Sequence, residues 1–212
     1  MKSGRTVQED LAIASYDQFA ERFIEAYERL IFEEVHSEIL DLLPKAPARV
    51  LDVGAGSGRD AAALAKRGLI VTAVEPVARM RALAKALHSD SNIAWVEDRL
   101  PALPRIVRSR KRYSLILLSA VWMHISPQDR DVAIATLSRL LEDRGLLVIT
   151  LRLGQPDLGR GIYEVSEEEL LKLAYIHMLT LVRIGKETLD KLDRPNIRWK
   201  TFAFRRGVLL SE

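Results

Sequence analysis

Short apolar runs alternate along this chain with longer stretches in which apolar residues recur every three or four positions. The runs have the length and composition of strands that are buried in a parallel sheet. They occupy residues 50–53, 69–74, 92–96, 113–119, 146–151 and 179–184. The stretches between them have the periodicity of amphipathic helices. This alternation predicts an α/β fold with helices on both faces of a mostly parallel, doubly wound sheet.

The two ends of the chain depart from this alternation. Residues 9–43 have a helical pattern, which predicts two or three helices with a break near residues 15–17, and Pro44 and Pro47 end the region. Residues 197–205 alternate like a half-exposed strand, which predicts an antiparallel strand at the edge of the sheet. The expected architecture is a Rossmann-like sheet of seven strands. Residues 1–46 form a helical cap in the same domain, and residues 47–212 form the main domain.

Composition limits the class of protein. Hydrophobic residues make up 48% and charged residues 29% of the 212 residues, which is typical of a globular protein and excludes a disordered one. The chain has no cysteine, which excludes disulfides and cysteine-based metal sites and fits a reducing cytosol. It has no run of about 18 apolar residues and no apolar core of a signal peptide. We therefore expect a cytoplasmic protein with no membrane partner.

Positive charge is concentrated in one short segment. The segment contains five basic residues, Arg105, Arg108, Arg110, Lys111 and Arg112. Such a cluster indicates either nucleic-acid binding or a solvated helix and loop. We favour the solvated surface, because the cluster lacks interleaved aromatic residues for base stacking and the formal net charge is only +3. Binding to nucleic acid stays open as the less favoured interpretation.

The candidate chemistry lies in the turn after the first strand. Glycines stand at every second position, Gly54, Gly56 and Gly58, and a helical pattern follows. Glycine accepts positive φ and lets a ligand approach the backbone, so a strand, a glycine turn and a helix predict a nucleotide-like site with free backbone N–H groups. Asp52 precedes the first glycine. A carboxylate there is unfavourable beside a diphosphate and favourable beside a ligand with a positive group.

The segment Asp52–Gly58, DVGAGSG, closely resembles the first motif of class I S-adenosylmethionine-dependent methyltransferases. The resemblance covers residues 49–152 by motif and the rest by the order of elements. It implies a Rossmann-like enzyme of the small-molecule type, which uses S-adenosylmethionine, releases S-adenosylhomocysteine and needs no metal. In such an enzyme Asp52 would orient the methionine ammonium, directly or through water.

Further cofactor contacts follow by position. Glu75 ends the second strand about 20 residues after the glycine turn, where a carboxylate binds the ribose hydroxyls. The resemblance assigns the adenine to Asp98, with Glu97 as an alternative, and Tyr16 to a lid over the cofactor. The complete set of predicted cofactor contacts is Asp52, Gly54, Ala55, Gly56, Gly58, Glu75, Pro76, Asp98, Arg99, Leu100, Ser119 and Tyr16.

The acceptor is expected beside the end of the fourth strand, at the switch point of the sheet. The segment Ser119–His124, SAVWMH, departs from the motif of DNA amino-methyltransferases and is similar to the variable segment of small-molecule methyltransferases. His124 is the candidate general base, and a structural role for it is the alternative. The predicted acceptor contacts are Trp122 and His124, which follow the fourth strand, and Arg152 and Arg160. The two arginines lie in a glycine-rich loop and suit a carboxylate or phosphate.

Other functions stay open at this stage. A methyltransferase that acts on RNA or protein, and a protein that binds S-adenosylmethionine without catalysis, both fit the same motif. A nicotinamide-dependent oxidoreductase is disfavoured, because the glycine spacing is G-x-G-x-G and Asp52 precedes it. The pattern does not distinguish a monomer from a homodimer.

Overall fold

The structure is a computed structural model that describes residues 7–89 and 92–207. The first six residues of the predicted cap therefore lie outside the described residues. Eight strands form one sheet: β1 Arg49–Val53, β2 Ile70–Val74, β3 Ile93–Val96, β4 Tyr113–Leu118, β5 Leu141–Leu153, β6 Leu179–Ile184, β7 Thr188–Leu189 and β8 Arg198–Arg206. Eight α-helices surround it: α1 Val7–Gln18, α2 Ala20–Glu28, α3 Phe32–Val35, α4 Arg59–Lys66, α5 Ala78–Leu87, α6 Pro104–Arg108, α7 Arg130–Leu140 and α8 Glu167–Ile176.

The sheet has the order β3-β2-β1-β4-β5-β8-β6, and β7 pairs with β8. The strands from β3 to β5 are parallel, and β8 is antiparallel to both β5 and β6. This confirms the predicted Rossmann-like, mostly parallel sheet with a reversed last strand. The eighth strand is β7, a pair of residues in the segment between β6 and β8 that has no apolar run for a sequence pattern to detect.

Two local predictions were wrong. The antiparallel strand β8 lies between β5 and β6 rather than at the edge, and four consecutive residues from Thr201 to Phe204 are buried. Thr201 and Ala203 are small, so the sequence alternation resembled that of a half-exposed strand. In the N-terminal region, α1 and α2 are separated at Phe19 rather than near residues 15–17.

The two faces of the sheet bury alternate residues of the same strands. On one face, Leu51 and Ile116 belong to a cluster with α7 and α8. On the other face, Val50 and Leu115 pack with α4 and with Phe32 of α3. Because β1 pairs with both β2 and β4, the segments that follow these three strands meet at one edge of the sheet.

The basic segment, which comprises α6 and the residues that follow it, lies on the surface. Its five basic side chains, at positions 105, 108, 110, 111 and 112, are all exposed. They fit the predicted solvated helix and loop. Within the described part of the chain, no helix is long and apolar enough to cross a membrane.

Candidate active site

A cavity of about 310 Å³ lies at the carboxyl ends of the parallel strands. Helices α1 and α2, the glycine turn and the ends of β2, β4 and β5 contribute to its wall. Most of the predicted site residues line it: Tyr16, Asp52, Gly54, Ala55, Gly56, Glu75, Pro76, Asp98, Arg99, Leu100, Ser119, His124, Arg152 and Arg160. The fold thus brings together residues from widely separated parts of the sequence. Gly58 and Trp122 are the predicted residues that do not line the cavity.

The glycine turn is shaped by close contacts. Gly54 has a φ of +71°, and a Cβ atom there would lie 2.5 Å from Cγ2 of Val121. Gly56 has a φ of +55°, but its nearest neighbour to an added Cβ would be the ring of Tyr27 at 3.7 Å. The conformation therefore explains both glycines, while only Gly56 leaves room for a ligand beside its Cα.

Three N–H groups of the turn are not free as we expected, because each has an acceptor within the protein. The N–H groups of Gly54 and Ala55 donate to the carbonyl of Val74, at 2.8 and 2.9 Å. The N–H of Gly56 donates to Oε2 of Glu75 at 2.9 Å. Since β2 and its terminal carboxylate satisfy these donors, the turn can recognise a ligand by close approach and by charge, and not by a ring of unpaired amides.

The positions of Gly58 and Trp122 give no support to their predicted ligand contacts. Gly58 has a φ of +84°, and a Cβ there would lie 2.9 Å from both the His88 and Trp95 rings. Packing against α5 and β3 explains this glycine. Trp122 is fully buried in the core, with the guanidinium of Arg130 6.0 Å from its ring centroid.

Asp52 is the carboxylate with the least compensation in the cavity wall. It is buried, and its Oδ2 has no hydrogen-bond partner among the described residues. Burial raises the pKa of Asp52 well above its usual value, and the negative charges of Asp60 and Glu75 add to this, while Arg59 and a hydrogen bond from the backbone of Ala61 oppose it. A buried carboxylate with one unpaired oxygen is unfavourable by itself and is stabilised by a bound cation.

The neighbouring cation Arg59 compensates Asp52 only in part, because its hydrogen bond goes to Asp60. His36 Nε2 lies 2.9 Å from Oδ2 of Asp60, and Nε of Arg59 donates to Oδ1 at 2.7 Å. Although burial acts to raise it, the charges of His36 and Arg59 hold the pKa of Asp60 below its usual range. Two buried carboxylates therefore share one wall, and only one of them has a full set of partners.

Two further carboxylates of the predicted site hold the backbone in place. Glu75 accepts hydrogen bonds from the N–H groups of Gly56 and Val77, both at 2.9 Å. Asp98 accepts from the N–H groups of Arg105 at 2.7 Å and Ile106 at 2.9 Å, so it caps the first turn of α6. Each carboxylate oxygen has two acceptor sites, so both side chains keep the capacity to bind a ligand donor.

His124 has a defined proton arrangement. Its Nδ1 lies 2.8 Å from the carbonyl oxygen of Gly161, and a carbonyl only accepts, so Nδ1 carries the proton. Nε2 then offers a lone pair, which accepts from the hydroxyl of Tyr16 at 3.3 Å. Burial, together with the charges of Arg160 and Arg152, lowers the pKa of His124. A neutral imidazole with an available lone pair is the form that can act as a general base.

Tyr16 connects the cap to this histidine. Burial raises the pKa of Tyr16, so its hydroxyl keeps a proton to donate. The hydroxyl of Tyr27 donates in turn to that of Tyr16, at 3.5 Å. A hydrogen-bonded chain therefore runs from α2 through α1 to the segment after β4.

The sequence interpretation missed one corner of the cavity. Asp190, Arg194 and Trp199 line it, and all three lie in or beside a segment that read as a polar connection. Asp190 accepts from Nε and Nη2 of Arg194, at 3.0 and 2.6 Å, and from Nε1 of Trp199 at 2.8 Å. Although burial acts to raise it, these hydrogen bonds lower the pKa of Asp190 to about 2. No local signal marked these residues, because the pairing of β8 with β5 brings them to the site.

Among the described residues, no group of three or more histidine, aspartate or glutamate side chains could hold a metal ion. Charged side chains of both signs line the cavity. Three carboxylates, Asp52, Glu75 and Asp98, lie at the ends of β1, β2 and β3, and two arginines, Arg152 and Arg194, lie at the end of β5 and before β8.

Comparison with known proteins bears on these features. The sequence model of a family described as a methyltransferase domain matches residues 26–192, which is most of the chain. An uncharacterized methyltransferase of Staphylococcus carnosus is 30% identical over 115 residues, which cover 54% of this chain and 52% of that protein. One from Mycobacterium tuberculosis is 31% identical over 119 residues, which cover 56% of this chain and 45% of the relative. The chain spans about half the length of the curated relatives it matches.

Solved structures resemble the whole fold. The 1,6-didemethyltoxoflavin-N1-methyltransferase of Burkholderia thailandensis, with 1,6-didemethyltoxoflavin and S-adenosylhomocysteine bound, has a TM-score of 0.71 at 18% identity and covers 98% of this chain and 94% of its own. Phosphoethanolamine N-methyltransferase 2 of Haemonchus contortus, in complex with S-adenosylmethionine, also has a TM-score of 0.71, at 16% identity, covering 98% of this chain and 62% of its own. At these identities the likeness shows the fold.

Proposed function

This chain belongs to the methyltransferase domain family, and on that premise we propose that it transfers a methyl group from S-adenosylmethionine to a small-molecule acceptor. The observation that carries the proposal is the buried carboxylate of Asp52 beside the glycine turn, whose Oδ2 has no hydrogen-bond partner among the described residues. S-adenosylmethionine carries an ammonium and a sulfonium, and a cation of this kind removes the electrostatic penalty at Asp52.

The other cofactor contacts follow from where the residues lie. We assign the methionine ammonium to Asp52 and the close approach of the ligand to Gly56 and its neighbours Gly54 and Ala55. We assign the ribose hydroxyls to Glu75, and the adenine to Asp98. The remaining proposed contacts are Pro76, Arg99, Leu100, Ser119 and Tyr16, all of which line the cavity. Structural neighbours solved with S-adenosylmethionine or S-adenosylhomocysteine bound support this choice of cofactor.

The residues at the ends of β4 and β5 suit the acceptor. When bound, S-adenosylmethionine supplies an activated methyl group, and holding the acceptor in line with it contributes much of the rate. We assign to His124 the removal of a proton from the acceptor at Nε2, directly or through the hydroxyl of Tyr16, and the hydrogen bond between the two side chains supports this role. The contacts of α1 with the 3-10 turn Leu158–Arg160 support the role of the helices before residue 47 as a cap in the same domain.

A small acceptor fits better than a macromolecule. Residues of α1, α2 and the segment 186–192 line the cavity together with those of the sheet, so the site is covered by the chain itself. The exposed basic segment around α6 contributes no arginine or lysine to this lining. Two of the structural neighbours are named for small acceptors, 1,6-didemethyltoxoflavin and phosphoethanolamine. We also propose a cytoplasmic location, which the lack of cysteine supports. For the oligomeric state we propose a monomer or a homodimer.

The test is to follow the methyl group. Protein is incubated with methyl-labelled S-adenosylmethionine and, separately, with the small-molecule, RNA and protein fractions of a cell extract. Label that enters the small-molecule fraction supports the proposal. Label that enters RNA or protein instead would replace the proposed acceptor class. Cofactor binding without transfer to any fraction would indicate a binding protein without catalysis.

The replacement His124→Asn is expected to slow methyl transfer by about 10²- to 10⁴-fold, the usual contribution of a general base. The asparagine amide can keep a donor toward the carbonyl of Gly161 but provides no basic lone pair. The affinity for S-adenosylhomocysteine is expected to change by less than about twofold, since no cofactor role is assigned to this side chain. The measurement is the rate of label transfer beside a calorimetric titration of the product. Unchanged transfer by the folded variant would exclude His124 as the base.

A further inference from the structure

Three arginines converge on the acceptor side of the cavity. Arg152, near the end of β5, pairs in register with Trp199 of β8. Arg194 lies in the segment between β7 and β8, and Arg160 ends the 3-10 turn Leu158–Arg160 that follows β5. All three line the cavity, and we refer to them as the arginine cluster. Three separate segments thus bring guanidinium groups to one wall.

Their charge exceeds what the described side chains compensate. Arg194 is paired with Asp190 through two hydrogen bonds. Arg152 and Arg160 have no carboxylate oxygen within 4.0 Å among the described side chains. Asp190 also accepts hydrogen bonds from Nε1 of Trp199 and from the N–H of Leu192, the latter at 2.9 Å, so its acceptor capacity is largely used. The cluster therefore keeps a net positive charge toward the cavity.

Arg152 carries the clearest sign of an unfilled role. Its Nη1 donates to the carbonyl of Gln155 at 2.9 Å, but its Nε is buried and has no partner among the described residues. A buried donor without an acceptor is unfavourable, and more so in a charged group. Burial lowers the pKa of Arg152, and the charges of Arg194 and Arg160 lower it further, against the opposing charges of Asp157 and Asp190. An oxyanion between them would relieve both penalties.

We propose that the methyl acceptor carries an oxyanion, a carboxylate or a phosphate, and that Arg152, Arg160 and Arg194 bind it. The inference rests on the proposed function for the identity of the second ligand in the cavity. It assigns Asp52 and the arginine cluster to ligand groups of opposite sign. The cationic donor lies near Asp52, and the anionic end of the acceptor lies at the arginine cluster, with His124 on the same side of the cavity as Arg160. Guanidinium groups suit this task because they donate in a fixed fork to carboxylate and phosphate oxygens.

The experiment titrates inorganic phosphate, and separately acetate, into the protein by calorimetry, with and without S-adenosylhomocysteine, at constant ionic strength. We expect millimolar binding of at least one of these anions to the wild-type protein. Arg152→Gln is expected to weaken it by at least about tenfold, the value of a charge-assisted hydrogen bond. The matched control is Arg108→Gln, which makes the same charge change at an exposed residue outside the cavity and should leave anion affinity unchanged.

Two outcomes would overturn the inference: no binding of either anion to the wild-type protein, or equal binding by wild-type protein and Arg152→Gln. Because Arg160 is exposed, Arg160→Gln keeps the test available if replacement of Arg152 prevents folding. The titrations without S-adenosylhomocysteine separate the two proposals. Arginine-dependent anion binding in a protein that does not bind S-adenosylhomocysteine would sustain the anion site and contradict the proposed function.

Discussion

Asp52→Asn is expected to weaken the binding of S-adenosylmethionine by about 10- to 150-fold, since a charge-assisted hydrogen bond contributes about 1.5–3 kcal/mol. The asparagine has nearly the same shape but no charge to offer the methionine ammonium. Asp143→Asn is the matched control, because Asp143 is exposed and does not line the cavity. Calorimetric titration of the three proteins measures the effect. Equal affinities for wild type and Asp52→Asn would contradict the assignment of Asp52.

The same replacement should stabilise the protein without ligand. The folded protein holds the pKa of Asp52 above its unfolded value near 3.9, mainly because the carboxyl group is buried. The protonated side chain therefore favours the folded state at low pH, and this stability is lost as the pH rises toward the folded pKa. Asparagine does not ionise, so the melting temperature of the variant should exceed that of wild type increasingly as the pH rises from acid to neutral. A variant that is less stable than wild type at neutral pH would show that Arg59 and the backbone of Ala61 outweigh the unfavourable burial of the Asp52 carboxylate.

Wild-type affinity for S-adenosylmethionine should also fall as the pH is lowered, because a protonated Asp52 no longer attracts the ligand's ammonium. Binding should release a proton from the protein, since the cation stabilises the ionised carboxylate. The enthalpy measured in buffers of different ionisation enthalpy reports that proton. The same measurement on Asp52→Asn is the control and should show the release reduced.

Alanine at Gly58 should mainly lower stability, whereas alanine at Gly56 should mainly lower ligand affinity, although the two glycines belong to one motif. At Gly58 the new methyl would meet the rings of His88 and Trp95 at 2.9 Å with a φ of +84°. Strain and overpacking are each worth about 1–3 kcal/mol, and a protein of this size loses about 2–4 °C per kcal/mol. Gly58→Ala should therefore lower the melting temperature by about 5–20 °C.

At Gly56 the added methyl would find its nearest neighbour at 3.7 Å, so the melting temperature should fall by only a few degrees. The methyl would instead occupy space beside the proposed ligand, and the affinity for S-adenosylmethionine should fall by at least about tenfold. Thermal unfolding and calorimetry on both variants separate the two effects. Retained affinity in a folded Gly56→Ala would contradict the close approach of the ligand at this turn.

Much of the fold could be predicted because buried parallel strands leave continuous apolar runs in the sequence, as at residues 146–151. The position of β8 could not be predicted, because its pairing with β5 and β6 joins segments that are not adjacent in the chain. The small residues Thr201 and Ala203 also obscure its burial. The same pairing brings Trp199 beside Arg152. For that reason the sequence located Arg152 and Arg160 of the arginine cluster but not Arg194.

Within the site, the residues of the local motif were the easiest to place. Asp52 and Glu75 each follow from a strand end and a fixed spacing, and both line the cavity. Gly58 and Trp122 were placed less well, because their neighbours come from other elements: α5 and β3 enclose Gly58, and the core on the α7 side of the sheet encloses Trp122. A motif specifies which residues are near in sequence, while packing decides which of them reach the ligand.

Calorimetric titration of the purified protein with S-adenosylmethionine, S-adenosylhomocysteine and NAD is the most direct test of the proposed cofactor. The buried carboxylate at Asp52, with its unpaired Oδ2, and the G-x-G-x-G turn predict micromolar binding of the first two ligands and none of NAD. Binding of NAD alone, or of none of the three, would contradict the assignment of the cavity to S-adenosylmethionine.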